Sequence, residues 1–301
     1  MQAGEPSITA RAAAAFRAAH QRLEGGRVFS DPLALRILGP DADNPVLAAA
    51  FAPEREAVRL GVAARARFAE DAVAAAVGRG VRQVVMLGAG LDTYGCRAPQ
   101  RAAGLRVFEV DHPATQEWKR DRLAAAGIAI PPSLTFAPVD FERQGLADGL
   151  AAAGFDPGRP AFFGWLGVVP YLTRAAVLDT LGFIAALPGG SGVVFDYGEP
   201  PGALPPEQRA VHEARAAWAA QAGEPFLSHF TPEEIASLAG DLGLTVAEDI
   251  RYGELAARYG RGAADPSAEA GATGDAGANG DTGATGDAGA HLIHAVRPPA
   301  R

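Results

Sequence analysis

The sequence predicts a doubly wound, mostly parallel α/β sheet of seven strands, and three observations carry that reading. From Gln83 onward, short apolar runs alternate with helix-forming stretches. The first run, Gln83–Leu87, ends in a glycine turn, Gly88-Ala89-Gly90. The second, 106–110, meets an acid at once, Asp111, 21 residues after Gly90. A tight glycine turn lets a ligand approach the backbone, and a carboxylate at the next strand end accepts hydrogen bonds from a ribose diol. The layout suits a nucleoside cofactor lying across the ends of two parallel strands.

The whole chain, 1–301, reads as one domain. Residues 1–80 read as a helical cap. Asp31-Pro32 is a helix start, with Asp as N-cap and Pro in the first turn. A longer helix is expected over 53–77, where a 3.6-residue period puts Val58, Val62, Ala69, Val73 and Ala76 on one face. Arg65 falls on that apolar face and Arg67 on the opposite one. A buried arginine must snorkel, pair with a carboxylate, or bind an anionic ligand group.

Residues 81–260 read as the β-α core. Strands are expected at Gln83–Leu87, 106–110, Leu134–Pro138, 161–166, 192–197 and 245–250, with a last one at 291–297. Helices fit at 113–126, Arg174–Ala186 and 232–242. The last opens on a capping box, Thr231-Pro232-Glu233-Glu234. After the fifth strand, a long insertion, 198–230, has a proline-rich start and a helical pattern over 207–220. It reads as a lid over the strand ends. Within 262–290, glycine recurs at every third position from Gly271 to Gly289 without intervening proline. That argues against a collagen triple helix and for a solvated loop that leaves the last strand to rejoin the sheet.

Composition narrows the function. With 301 residues, 48% of them hydrophobic, the chain can bury a substantial core. A net charge of −8 argues against nucleic acid or an anionic membrane as main partner. A single cysteine, Cys96, excludes an internal disulfide framework and fits a reducing compartment. No run reaches the roughly 18 apolar residues of a membrane span, and none resembles a signal peptide, so a soluble, cytoplasmic protein is expected. No His/Cys cluster has metal-ligand spacing, and no metal is expected.

The turn carries Thr93 where the third glycine of a dinucleotide turn would stand, which weakens an NAD reading. The segments VVMLGAGLDTYGCR, VFEVDHPATQEWKRDRL, FAPVDFE, FFGWLGVVPYLT and VVFDYGEP follow one another with α/β spacing. Together they resemble the leucine carboxyl methyltransferase-like family of S-adenosylmethionine-dependent O-methyltransferases, which includes bacterial polyketide O-methyltransferases. The resemblance spans residues 8–296. It implies a Rossmann-like class I methyltransferase fold and S-adenosyl-L-methionine as cofactor, with S-adenosyl-L-homocysteine as product. It also implies O-methylation of a small-molecule acceptor in secondary metabolism.

The resemblance further implies residue roles. Gly88, Ala89 and Gly90 would form the turn under the methionine part of the cofactor, and Arg65 would pair with its carboxylate. Asp111 would hold the ribose hydroxyls. Asp140 would bind the adenine amino group, with Phe141 packing the ring. Arg97 would take a structural or substrate-side role. Leu166 stands beside Gly167 where many relatives carry a glutamate that contacts the cofactor, so it is expected on the cofactor side.

Methyl transfer from a sulfonium is an in-line displacement. A carboxylate acceptor, with a pKa of roughly 4, needs no base, whereas a phenol with a pKa near 10 would benefit from one. His229 is the best placed candidate base by sequence order, with His20 and His212 weaker. Tyr171 and Tyr197 follow the fourth and fifth strands and are expected to line the acceptor pocket. The other readings are a protein C-terminal carboxyl methyltransferase, an NAD-dependent oxidoreductase and a non-catalytic cofactor-binding protein.

Overall fold

A computed structural model of the protein describes residues 7–39, 45–98, 104–140, 144–261 and 288–299. Seven strands form one sheet in the order β3-β2-β1-β4-β5-β7-β6. They are β1 (Gln83–Leu87), β2 (Arg106–Asp111), β3 (Leu134–Pro138), β4 (Ala161–Trp165), β5 (Gly192–Gly198), β6 (Thr245–Arg251) and β7 (Ala290–Val296). Strands β1 to β5 pair in parallel, and β7 runs antiparallel to both β5 and β6.

Every residue of β1 and of β4 is buried, as expected of parallel strands covered on both faces. Side chains alternate between two apolar layers. Val84, Met86, Val107 and Phe162 join one, and Val85, Leu87, Phe108 and Phe163 join the other. The chain winds outward from β1 to β3, then returns to place β4 on the other side of β1. That reversal opens a crevice outside the carboxyl ends of β1 and β4, where ligands bind in such sheets. The register Leu87↔Val110, Asp111↔Pro138 and Trp165↔Phe195 brings those ends to one edge.

The N-terminal region forms α1 (Ile8–Leu23), α2 (Ala34–Leu38), α3 (Pro45–Phe51) and α4 (Glu56–Gly78). Helix α2 starts at Ala34 with Leu33 in the cap position, later than the Asp31-Pro32 start, yet Asp31 Oδ1 accepts from Leu33 N at 3.2 Å as a capping acid does. The Asp31 carboxylate also accepts from buried Arg17 Nε at 3.1 Å and from Thr93 Oγ1 at 2.7 Å. A buried guanidinium needs an anion, and one carboxylate serves both the helix start and the ion pair. The long helix starts at Glu56, because Pro53–Arg55 closes a separate 3-10 turn.

The core helices are α5 (Tyr94–Arg97), α6 (Pro113–Ala125), α7 (Leu146–Ala152) and α8 (Arg174–Ala186). Then follow α9 (Pro206–Gln221), α10 (Pro232–Asp241) and α11 (Tyr252–Arg261). The capping box of α10 forms as predicted: Glu234 N donates to Thr231 Oγ1 at 3.2 Å, and Thr231 N donates to Glu234 Oε2 at 2.9 Å. Strand β4 stops at Trp165, one residue before Leu166.

The segment carrying α9 is tied across the carboxyl end of β4. Leu227 N donates to Pro170 O at 2.6 Å, and Ser228 Oγ donates to Val169 O at 2.9 Å. At its other side, Thr9 Oγ1 near the start of α1 donates to Glu224 Oε2 at 2.6 Å. Most of the glycine-repeat segment, 262–287, lies outside the described residues. Among the described residues no helix is long and apolar enough to cross a membrane.

Candidate functional site

The glycine turn after β1 needs its glycines. Gly88 and Gly90 have φ of 60° and 47°, a left-handed region that side chains disfavour. A Cβ on Gly88 would stand 2.3 Å from Val168 Cγ2, and one on Gly90 would stand 2.8 Å from Ala10 Cβ. Buried Ala89 between them donates its N–H to Val110 O at 3.2 Å, which holds the turn against β2.

Asp111, half-buried at the end of β2, completes that arrangement. Its Oδ2 accepts from Gly90 N at 2.6 Å and its Oδ1 from His112 N at 2.7 Å. Burial pushes its pKa above the usual carboxylate value, against the pull of those two N–H groups. Asp140 sits half-buried after β3, where its backbone carbonyl accepts from Gln144 N at 2.8 Å. Phe141 lies outside the described residues.

Arg65 reaches from α4 to the end of β5. Its Nη1 donates to Asp196 Oδ2 at 2.8 Å and approaches Tyr252 Oη at 3.4 Å. Tyr252 donates to the same Asp196 oxygen at 2.6 Å, and Gly167 N donates to the other at 2.6 Å. Gly167 has φ of 71°, and a Cβ there would stand 3.2 Å from Arg65 Nη1. The guanidinium therefore lies directly against the loop after β4. Asp196 and Tyr252 received no role from the sequence. The available signal was a lone acid inside the apolar run VVFDYG, since a buried carboxylate demands a partner. Leu166, half-buried, packs on the apolar layer that α4 shares with Met86.

A cavity of about 90 Å³ opens beyond β4 and β5 under the α9 segment. Arg65, Tyr171, Tyr197, His212, Arg215 and His229 are among its walls. His229 Nε2 lies 3.1 Å from His212 Nε2. Burial holds both imidazoles below their usual pKa. Tyr171 packs edge-on against Phe226, ring centroids 5.4 Å apart, and burial pushes its phenol pKa up.

The structure thus gathers Arg65, Tyr171, His229 and His212 around one space. Tyr197 borders that space too, but its hydroxyl donates to Asp249 Oδ2 at 2.5 Å and its ring stacks on His291. His20 belongs to the cap, with Nδ1 3.1 Å from Glu24 and Nε2 accepting from Val28 N. Arg97 is engaged by both carboxylate oxygens of Glu70 and by Thr93 Oγ1, which ties α5 to α4. Cys96 is buried.

The donors and acceptors at the strand ends fit a cofactor with a carboxylate at one end and a ribose diol further along. Arg65 offers the cation, Asp111 the acceptor, and the turn at Gly88 and Gly90 the close backbone. Comparison with known proteins shows the family. Residues 10–185, more than half of the chain, match the family described as leucine carboxyl methyltransferase. YktD of Bacillus subtilis (strain 168), a provisional S-adenosyl-L-methionine-dependent methyltransferase, is 34% identical over 83% of this chain and 90% of its own length. A similarly named protein of Mycobacterium ulcerans (strain Agy99) is 32% identical over 72% of this chain and 74% of its own.

Among solved structures, a provisional methyltransferase from Thermobifida fusca YX superposes with a TM-score of 0.59 at 19% identity. It covers 99% of this chain and 97% of its own. A DUF574 family protein from Streptomyces avermitilis MA-4680 gives 0.53 at 20% identity, covering 87% and 94%. The two likenesses establish the fold. The chain belongs to the leucine carboxyl methyltransferase family of S-adenosyl-L-methionine-dependent methyltransferases.

Proposed function

We propose that the protein moves a methyl group from S-adenosyl-L-methionine to an oxygen, carboxylate or hydroxyl, of a small molecule in secondary, polyketide-like metabolism. The observation that carries this reading is the small cavity under the α9 segment, which shares Arg65, Gly167 and Asp196 with the cofactor side. A space of that size suits part of a small acceptor. The single cysteine and the negative charge support a cytoplasmic enzyme acting on neither nucleic acid nor membrane.

Arg65, Gly88, Ala89, Gly90, Asp111, Asp140, Phe141 and Leu166 are the residues proposed to hold the cofactor. When bound, it supplies the activated methyl group and the leaving group. The chain's own task is positioning and exclusion of water. Arg65, already steadied by Asp196 and Tyr252, offers its guanidinium to a carboxylate. Asp111 offers its carboxylate to a diol while Gly90 N keeps it in place. The α9 segment, fastened through Pro170 and Thr9, closes the acceptor side. Tyr171 and His229 face the acceptor, and Tyr197 contributes to the wall with its hydroxyl held by Asp249.

Calorimetric titration of the purified protein with S-adenosylhomocysteine, and with NAD⁺ in parallel, tests the reading. Micromolar affinity for the first and none for the second is expected, followed by methyl transfer to an oxygen in an acceptor screen. Binding of NAD⁺ alone would overturn it.

A further inference from the structure

We infer that Thr9 and Glu224 are positioning residues for the cofactor: their contact seats the first turn of α1 on the glycine turn, and the cofactor exchanges only when that contact opens. The inference rests on the methyltransferase reading above and concerns how its cofactor site is closed.

Both glycines of the turn are roofed by side chains from elsewhere. The nearest neighbour of a Cβ built on Gly88 is Val168, from the loop after β4. The nearest neighbour of one built on Gly90 is Ala10, from the first turn of α1. A ligand reaching this turn therefore meets two covers, the loop and the helix.

One short stretch, 224–228, holds both covers. On the loop side, Leu227 N donates to Pro170 O at 2.6 Å and Ser228 Oγ donates to Val169 O at 2.9 Å. On the α1 side, Glu224 Oε2 accepts from Thr9 Oγ1 at 2.6 Å and from Thr9 N at 3.3 Å. A carboxylate 215 residues away thus sits at the positive end of the helix dipole.

The two attachments are not equal. The loop is held by the buried Ser228 and by backbone carbonyls, whereas α1 is held by one oxygen of a half-buried side chain. Helix α1 also keeps a cap of its own. Ser7 Oγ accepts from Ala10 N at 3.0 Å, and Ser7 O accepts from Arg11 N at 3.2 Å. When Glu224 lets go, the first turn lifts from Gly90 still formed, so opening breaks one charge-assisted contact and leaves the helix intact. The stretch that releases α1 also gives Phe226, Ser228 and His229 to the wall of the acceptor cavity.

Stopped-flow dissociation of S-adenosylhomocysteine from the full-length protein tests the inference. Thr9→Val removes the hydroxyl at nearly constant shape, and Glu224→Ala removes the carboxylate. Each should speed dissociation about tenfold or more, as befits a lost hydrogen bond to a charged group. The double variant should be about as fast as either single one, because both changes break the same contact. Thr9→Ser keeps the hydroxyl and should dissociate like the wild type. Wild-type rates in either Thr9→Val or Glu224→Ala, or effects that multiply in the double variant, would overturn the proposal. If a variant does not fold, hydrogen exchange of the wild-type Thr9 amide, whose acceptor is Glu224, decides. That amide should exchange more slowly once S-adenosylhomocysteine is bound, and an unchanged rate would overturn the proposal. Absent S-adenosylhomocysteine binding by the wild type would instead overturn the underlying methyltransferase reading.

Discussion

Arg65 on α4 and Asp196 on β5 meet at 2.8 Å across 131 residues of sequence, and the pair ties the helical cap to the carboxyl edge of the sheet. Asp196 also takes the Gly167 N–H, so one carboxylate fixes both the arginine and the loop after β4. Cation, acid and loop backbone are thereby set in place before any ligand arrives.

Replacing Arg65 with Ala should weaken S-adenosylhomocysteine binding by about 1–3 kcal/mol, through loss of a charge-assisted bond. Asp111→Ala should cost a similar amount and also release Gly90 N. Calorimetric titration of the two variants reads both effects. Unchanged affinity in both would remove them from the cofactor site.

The turn offers a steric test. Gly88→Ala places a Cβ at positive φ and 2.3 Å from Val168, so destabilisation by about 1–3 kcal/mol is expected in urea unfolding. The double variant with Val168→Ala should recover part of that loss, because the clash is with that side chain. Additive losses in the double-mutant cycle would place the strain elsewhere.

The cap is held to the turn by Arg17, which donates to Asp31 at 3.1 Å and to Leu91 O at 2.8 Å. Asp31 is fully buried, so Asp31→Asn leaves a buried guanidinium without its counter-charge. A loss of about 3–5 kcal/mol is expected. Denaturant titration of Asp31→Asn beside Asp71→Asn, an exposed partner of Arg67, separates the buried pair from a surface one. The surface variant should change stability by less than about 1 kcal/mol.

Stability should also depend on pH through His291. Burial lowers its pKa, but Asp249 at 2.9 Å and Glu199 at 3.2 Å outweigh burial and raise it above 6.5. A histidine with a raised folded-state pKa stabilises fully below its unfolded value. That contribution is lost as pH climbs through the raised value. Unfolding free energy measured from pH 6 upward should therefore decline past 6.5, and His291→Gln should flatten this part of the curve. An identical slope in the variant would refute the assignment.

Much of the frame follows from local pattern. The seven strands, the long helix through Arg65, the helix of the α9 segment and the α10 capping box all lie where periodicity and capping chemistry place them. Each of these signals concerns residues within a turn or two of one another. Arg65 was legible as an arginine on an apolar face, and Arg67 as its exposed neighbour, because helical geometry fixes which side each faces.

Partner choice was not legible, because it depends on which distant segments the sheet brings together. Arg59 of α4 gave no signal of burial, yet it donates to Glu24 at 2.8 Å and to two backbone carbonyls of the cap. His212 and His229, 17 residues apart, become a pair only because α9 folds back over β4. Asp31 carries a sound capping signal and does accept from Leu33 N, but nothing local announced that Arg17 would share the same carboxylate. The sequence by itself determined the fold and the glycine turn with Asp111 at the neighbouring strand end, since periodicity and turn chemistry are local. Only the tertiary structure decided which charges meet and which imidazoles lie together, since Coulomb pairing and hydrogen bonding act through space.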